Sequence, residues 1–76
     1  MVRPTSMTDV QVLLGDPRLT KRLIWGQSGN RVVAKPKRRL SRTVFKEILK
    51  KFREMGGGYS GYLGFTVELE KKRGGV

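Results

Sequence analysis

Three aromatic rings and five glycines share one eleven-residue segment of this sequence, MGGGYSGYLGF at residues 55–65. The rings belong to Tyr59, Tyr62 and Phe65. Glycine loses more backbone freedom on folding than any other residue, so a glycine-rich stretch weakens a helix or strand unless another group must approach closely. Rings beside bare backbone are suited to stacking on a flat partner, such as an unpaired nucleic-acid base.

The charge of the chain indicates what that partner would be. The sequence has 17 Lys and Arg against 6 Asp and Glu, a net charge of +11. Residues 18–53 hold thirteen of these cations and a single acid, Glu47. A polyanion would relieve the resulting self-repulsion, and nucleic acid is the commonest intracellular polyanion. The alternative is a solubilising surface without a partner, but such surfaces usually mix both signs of charge.

Catalytic functions lack the necessary groups. The chain contains no histidine and no cysteine, so a histidine base, a thiol nucleophile, a disulfide and the usual zinc or haem ligands are all missing. GGGYSG at residues 56–61 has the G-x-G-x-x-G spacing, but it follows a predicted helix instead of opening one, and no Walker motif occurs. We therefore expect no enzymatic activity, no cofactor and no metal.

The hydrophobic pattern predicts an α+β fold, in which an antiparallel sheet of three or four strands packs on one main amphipathic helix. Apolar residues at intervals of three and four predict the helix over residues 42–55, with Ser41 as its N-cap and Gly56 or Gly57 ending it.

Residues 21–35 are typical of a hairpin turning at QSGN, after which Pro36 should leave the sheet. Alternation over residues 63–69 predicts a further strand, and residues 59–62 are either a short strand with a turn or a wide loop.

The hydrophobic pattern is weaker at the two ends of the chain. Residues 6–14 combine helix and strand signals, and we favour a short helix or turn ending at Gly15. We expect one domain over residues 1–76, with residues 1–5 and 71–76 disordered. The sequence has neither a long apolar run nor an apolar leader, so a cytoplasmic location is the default expectation.

Two groups of residues form the predicted binding site. The basic group should contact phosphates, and the rings should stack on bases. The predicted site residues are Trp25, Arg31, Lys35, Lys37, Arg38, Arg39, Arg42, Tyr59 and Tyr62. Trp25 is as well explained as a core residue, and the cations on the helix at Lys46, Lys50 and Arg53 either extend the basic track or form a solvated face.

The segment LSRTVFKEILKKFREMGGGYSGYLGFTV at residues 40–67 resembles the core of the ThermoDBP-related archaeal proteins, and the preceding hairpin RLIWGQSGNRVVAKPK fits more loosely. The resemblance covers under half of the chain. It implies a small α+β domain that binds single-stranded nucleic acid in a cleft between sheet and helix, lined here by Trp25, Lys35, Lys37, Arg39, Tyr59 and Tyr62. Scarce Asn and Gln and absent Cys agree with a thermophilic source.

These observations together predict a protein that binds single-stranded DNA or RNA, largely without sequence preference. Two alternatives stay open. Charge alone would suffice for binding duplex DNA or structured RNA, as in chromatin-like or ribosome-associated proteins, and a basic face could also dock an acidic protein partner. The sequence does not distinguish DNA from RNA. A homodimer is compatible with so thin a core, which would gain from covering an apolar strand edge.

Overall fold

Seven helices and strands make up the computed structural model, which describes residues 3–70. In chain order they are α1 (Met7–Leu14), α2 (Pro17–Lys21), β1 (Leu23–Ser28), β2 (Arg31–Pro36), α3 (Arg42–Glu54), β3 (Gly58–Ser60) and β4 (Gly64–Glu68). The predicted α+β class with one main helix on an antiparallel sheet is confirmed. The disorder expected at residues 71–76 lies outside the described residues.

The four strands form one antiparallel sheet in the order β1-β2-β4-β3. The predicted hairpin is β1 with β2, where Ser28 pairs with Arg31 and the loop is Gly29 and Asn30 alone. Gly29 has φ of +58°, the positive value that the first loop residue of a type II′ turn requires. Residues 59–62 resolve into the last part of β3 and a tight turn, so β3 and β4 form a second hairpin.

The second strand is longer than the sequence predicts. Pro36 stays in the sheet and pairs with Leu23, so the expectation that the chain leaves the sheet at this proline was wrong. The backbone N–H of Lys37 donates to the carbonyl of Arg22 at 2.9 Å, so the backbone groups of Lys37 point toward β1. Successive residues of a strand point to opposite sides, so the nitrogen of Pro36 points toward β4. The pairing of β4 with β2 stops at Ala34, because β4 begins only at Gly64. No β4 residue lies opposite Pro36, so its missing N–H costs the sheet no hydrogen bond.

The main helix has the capping groups that its sequence predicts. The Ser41 hydroxyl accepts a hydrogen bond from the backbone N–H of Val44 at 3.3 Å. At the other end, the N–H of Gly57 donates to the carbonyl of Phe52 and the N–H of Gly56 to that of Arg53, which is a Schellman motif. Gly56 supplies the required positive φ of +85°. The helix thus ends at Glu54, one residue before the predicted Met55.

The N-terminal part of the chain forms two short helices, one more than we expected. The predicted short helix is α1, which Ser6 caps and Gly15 ends. A second helix, α2, follows Gly15 and was not predicted: Asp16 caps it and Pro17 occupies its first turn. Pro4 is buried, and its carbonyl accepts a hydrogen bond from the N–H of Glu70, just after β4.

All three helices contribute to the core on one face of the sheet. The buried cluster joins side chains from α1, α2 and α3 to alternate residues of the strands: Val10, Leu14, Leu19, Leu23, Val32, Ala34, Ile48, Phe52, Met55, Phe65, Val67 and Leu69. The other strand residues, among them Ile24, Arg31 and Lys35, point to the opposite face. That outer face carries no helix within residues 3–70. In the same range, no helix has the length and apolarity that a membrane crossing requires.

Candidate functional site

The strongest candidate site is a groove at the end of the sheet where β1 begins and β2 ends. Two chain segments meet there: the end of α2 with Arg22, which joins it to β1, and the loop that joins β2 to α3. The hydrogen bond from the Lys37 N–H to the Arg22 carbonyl ties the two segments together. The groove measures about 220 Å³, and we call it the basic groove; its lining residues are Lys21, Arg22, Lys37, Arg38, Arg39 and Leu40.

Five of the six lining side chains are cations, and they are exposed. Among the described residues, no Asp or Glu lines the basic groove. Asp16, outside the groove, has an electrostatic attraction to one groove residue, Arg22. The main interactions of Asp16 are with Arg18: its carboxylate accepts from the Arg18 backbone N–H at 2.9 Å, and this bond is the largest cause of its lowered pKa. The basic groove is therefore a region of largely uncompensated positive charge.

The remaining predicted phosphate contacts lie apart from the basic groove. Arg42 is the first residue of α3 and is exposed, two residues after Leu40. Lys35 and Arg31 point to the outer face of the sheet, where Arg31 lies 3.4 Å from the Glu68 carboxylate. Of the six cations predicted to contact phosphate, the structure thus brings three into the basic groove: Lys37, Arg38 and Arg39.

Two of the three predicted rings pack against the core instead of projecting from it. Trp25 lies on the inner face of β1, with its ring stacked at 6.2 Å from that of Phe52. Its indole N–H donates to the Thr20 carbonyl at 3.0 Å. Tyr59 lies on the far edge strand, 44% exposed, with ring centroids 4.7 Å from Phe45 and 5.0 Å from Phe65. The sheet therefore separates Trp25 and Tyr59 on opposite edge strands, and the two do not form one stacking surface.

Tyr62 has the opposite environment. It lies in the turn between β3 and β4 and is 87% exposed. This turn is at the same end of the sheet as the basic groove, because Phe65 pairs with Ala34 and so places Gly64 beside Lys35. A Cβ built on Gly64 would lie 3.1 Å from the Lys35 Cγ, which confirms this proximity. The one predicted ring with a free face thus shares an end of the molecule with the basic groove.

Lys21 and Arg22 line the basic groove but were not among the predicted site residues, although both lie in the cation-rich residues 18–53. The signal that could have identified them is the register of the hairpin. Once Ser28 pairs with Arg31 across a two-residue loop, counting back along both strands places Arg22 opposite Lys37. Charges fifteen residues apart in the chain are adjacent for this reason.

The cations on α3 belong to a different surface. Lys46, Lys50 and Arg53 line a shallow concavity together with Leu49 and the acid Glu54, and this concavity shares no residue with the basic groove. Within residues 3–70 there is also no group of three or more His, Cys, Asp and Glu side chains that could hold a metal ion.

Comparison of the chain with protein-family models, with curated proteins and with solved structures finds no match.

Proposed function

We propose that this protein binds single-stranded nucleic acid, DNA or RNA, through the basic groove and largely without sequence preference. The observation that supports this most directly is the composition of the groove, in which five cations converge and no described acid takes part. Lysine and arginine side chains neutralise phosphates and release their counterions, which supplies sequence-independent affinity. Three of the cations are arginines, whose planar guanidinium groups suit phosphate oxygens.

Tyr62 favours a single strand over a duplex. Neighbouring strands of a sheet are about 4.8 Å apart, so the end of β3 is about 10 Å from the end of β2 across β4. A backbone held in the basic groove could therefore reach the Tyr62 ring with a neighbouring nucleotide. Stacking needs an unpaired base, and each stacked base contributes about 1–3 kcal/mol irrespective of its identity. We further propose the relationship to ThermoDBP-related archaeal proteins as a hypothesis based on the residues 40–67 quoted above.

A second candidate function is the binding of duplex DNA or structured RNA by charge alone. The packing of Trp25 and Tyr59 against phenylalanines favours it, because it leaves fewer rings for stacking than the sequence predicts. If charge alone supplied the affinity for a duplex, that affinity would not depend on Tyr62. It would also fall more steeply with salt than single-strand affinity does. With about five neutralised phosphates, the slope of log K against log salt is about −3.5 for single strands and about −4.5 for duplex.

A matched pair of triple variants tests the proposal. Lys37→Ala/Arg38→Ala/Arg39→Ala removes three cations from the basic groove, and Lys46→Ala/Lys50→Ala/Arg53→Ala removes three from α3. Both variants lower the net charge by the same amount, and all six side chains are exposed. Fluorescence anisotropy of labelled single-stranded DNA, single-stranded RNA, duplex DNA and an acidic peptide, each at two salt concentrations, measures the affinities.

We expect the groove variant to bind single strands at least about tenfold more weakly than the α3 variant does, since local contacts add to the general field. Equal losses in the two variants would show that affinity follows net charge, and would contradict the assignment of the groove. Preference of the wild type for duplex over single strands would favour the second candidate. Binding confined to the acidic peptide would indicate a protein partner.

A further inference from the structure

The first strand is a long and unprotected edge of the sheet. The other edge, β3, has only three residues, which is one of the ways proteins limit unwanted strand pairing. In contrast, β1 has six residues, LIWGQS, none of which is a charged residue or a proline. An edge of this kind is a template for pairing with another strand.

The register of the hairpin shows which backbone groups this edge offers. Because the Lys37 N–H bonds to the Arg22 carbonyl, and the ladder alternates, Ile24, Gly26 and Ser28 direct their N–H and C=O groups toward β2. Leu23, Trp25 and Gln27 therefore direct theirs outward, where no further strand follows in the sheet. These outward groups are spaced two residues apart and centred on Trp25.

We propose that a second copy of this chain pairs with this edge, β1 against β1 in antiparallel orientation, with Trp25 opposite Trp25 on the two-fold axis. This register places Leu23 of each copy opposite Gln27 of the other. The outward backbone groups of both copies then face each other, and each opposed residue pair forms two N–H···O bonds. The two four-stranded sheets become one continuous sheet. The interface is isologous, as a two-fold dimer requires.

The side chains on the outer face are complementary in the same register. Ile24, 58% exposed, would lie opposite Gly26 of the other copy. Gly26 has no positive φ, and a Cβ at this position would meet no described heavy atom within 4 Å, so neither its conformation nor crowding by its own chain requires a glycine. The free space above Gly26 would receive the Ile24 side chain of the partner, and this contact would cover an exposed apolar residue.

The charges near β1 favour this orientation too. Lys21 and Arg22 precede the strand, whereas the turn at its other end, residues 28–30, is uncharged. Antiparallel pairing places the basic end of one copy beside the uncharged turn of the other, which keeps like charges apart. A parallel arrangement would bring the two basic ends together. The two basic grooves then lie at opposite ends of the shared edge, so the dimer would present two sites for one polyanion.

The test compares two lysine substitutions on the outer face of the sheet. Ile24→Lys places a charge at the proposed interface, and Thr66→Lys places the same charge on β4, two strands away from β1. Sedimentation equilibrium of the full chain measures the dimer dissociation constant at several salt concentrations. We expect Ile24→Lys to raise this constant at least about tenfold, because each dimer then carries two lysines at the shared edge, and Thr66→Lys to leave it within about twofold. Circular dichroism of both variants checks that they are folded.

Amide hydrogen exchange in the wild type gives a second readout that needs no variant. In the dimer, the amides of Leu23, Trp25 and Gln27 become protected as the protein concentration rises, and those of Ile24 and Gly26 are protected throughout by β2. A chain that remains monomeric up to about 1 mM would overturn the proposal. So would a dimer that Ile24→Lys and Thr66→Lys weaken equally, or one in which the three outward amides exchange freely. These outcomes are independent of nucleic-acid binding.

Discussion

The indole N–H of Trp25 donates a hydrogen bond of 3.0 Å to the backbone carbonyl of Thr20, at the end of α2. This bond fixes the ring on the inner face of β1, where it stacks on Phe52. A ring that is bonded at its polar edge and packed against a phenylalanine is part of the structure that supports the basic groove. The same bond links α2 to β1, and the two groove residues Lys21, which ends α2, and Arg22, which joins α2 to β1, lie directly after Thr20.

Substitution of Trp25 should therefore reduce stability and not affinity. Trp25→Phe retains an aromatic ring but removes the donor to Thr20, and we expect the free energy of unfolding to fall by about 1–2 kcal/mol. Urea denaturation followed by circular dichroism measures this change. The affinity for single-stranded oligonucleotide should remain within about twofold of the wild type when both proteins are folded. A large loss of affinity at unchanged stability would instead place the ring in the binding site.

The glycine run after α3 contains both required and replaceable glycines, and a pair of alanine substitutions separates them. A Cβ on Gly57 would clash with the Thr66 carbonyl oxygen, in the backbone of β4, so Gly57→Ala should destabilise the protein by about 1–3 kcal/mol. A Cβ on Gly58 would meet no described heavy atom within 4 Å, and Gly58→Ala should change stability by less than about 0.5 kcal/mol. Equal effects on thermal unfolding would contradict this packing.

Asp16 should make stability depend on pH in the acidic range. Its pKa is lowered below 3.8 in the folded protein, first by the hydrogen bond from the Arg18 N–H, whereas the unfolded chain has the ordinary value. At intermediate pH the unfolded state then binds more protons, so the contribution is fully present above pH 3.8 and is lost as the pH falls through the folded value. The effect is small because the carboxylate is exposed to solvent.

Asp16→Asn isolates this contribution. Asparagine caps a helix about as well as aspartate does but carries no charge, so α2 should persist. Unfolding measured at low salt from pH 7 to pH 2 should show a difference between wild type and variant that shrinks as the solution is acidified. A difference that stays constant over the whole range would mean that the Asp16 charge contributes nothing specific to the folded state.

Much of the fold could be predicted because local patterns agreed with one another. Ser41, the apolar spacing that follows it and the glycines at 56 and 57 all indicated the same helix, and the structure confirms it nearly to the residue. Strand β4 was equally clear, since Phe65 and Val67 alternate with polar residues and cover the helix. In both elements, short-range spacing determines which face is buried.

The site was harder to predict because it depends on pairing between distant segments. Helix α2, which we did not predict, is too short for hydrophobic periodicity, and its cap, Asp16 followed by Pro17, is the local signal that could have identified it. The side of the sheet that Trp25 faces could not be read from β1, because both faces of LIW are apolar. The proximity of Arg22 and Lys37 follows from the register alone. Composition indicated the charge of the site, but tertiary structure decides which charges converge.

Tyr62 provides the sharpest test of whether the bound strand is unpaired. Its ring is exposed and lies at the same end of the sheet as the basic groove, so Tyr62→Ala should leave the fold intact. We expect the substitution to weaken single-strand binding by about 1–3 kcal/mol, or about fivefold to 150-fold, and to leave duplex binding unchanged. Tyr62→Phe, which retains the stacking face and loses only the hydroxyl, should bind like the wild type. Anisotropy titrations with single-stranded and duplex oligonucleotides of the same sequence measure both affinities. If Tyr62→Ala bound both ligands as tightly as the wild type, stacking at this position would be refuted and charge alone would account for the affinity.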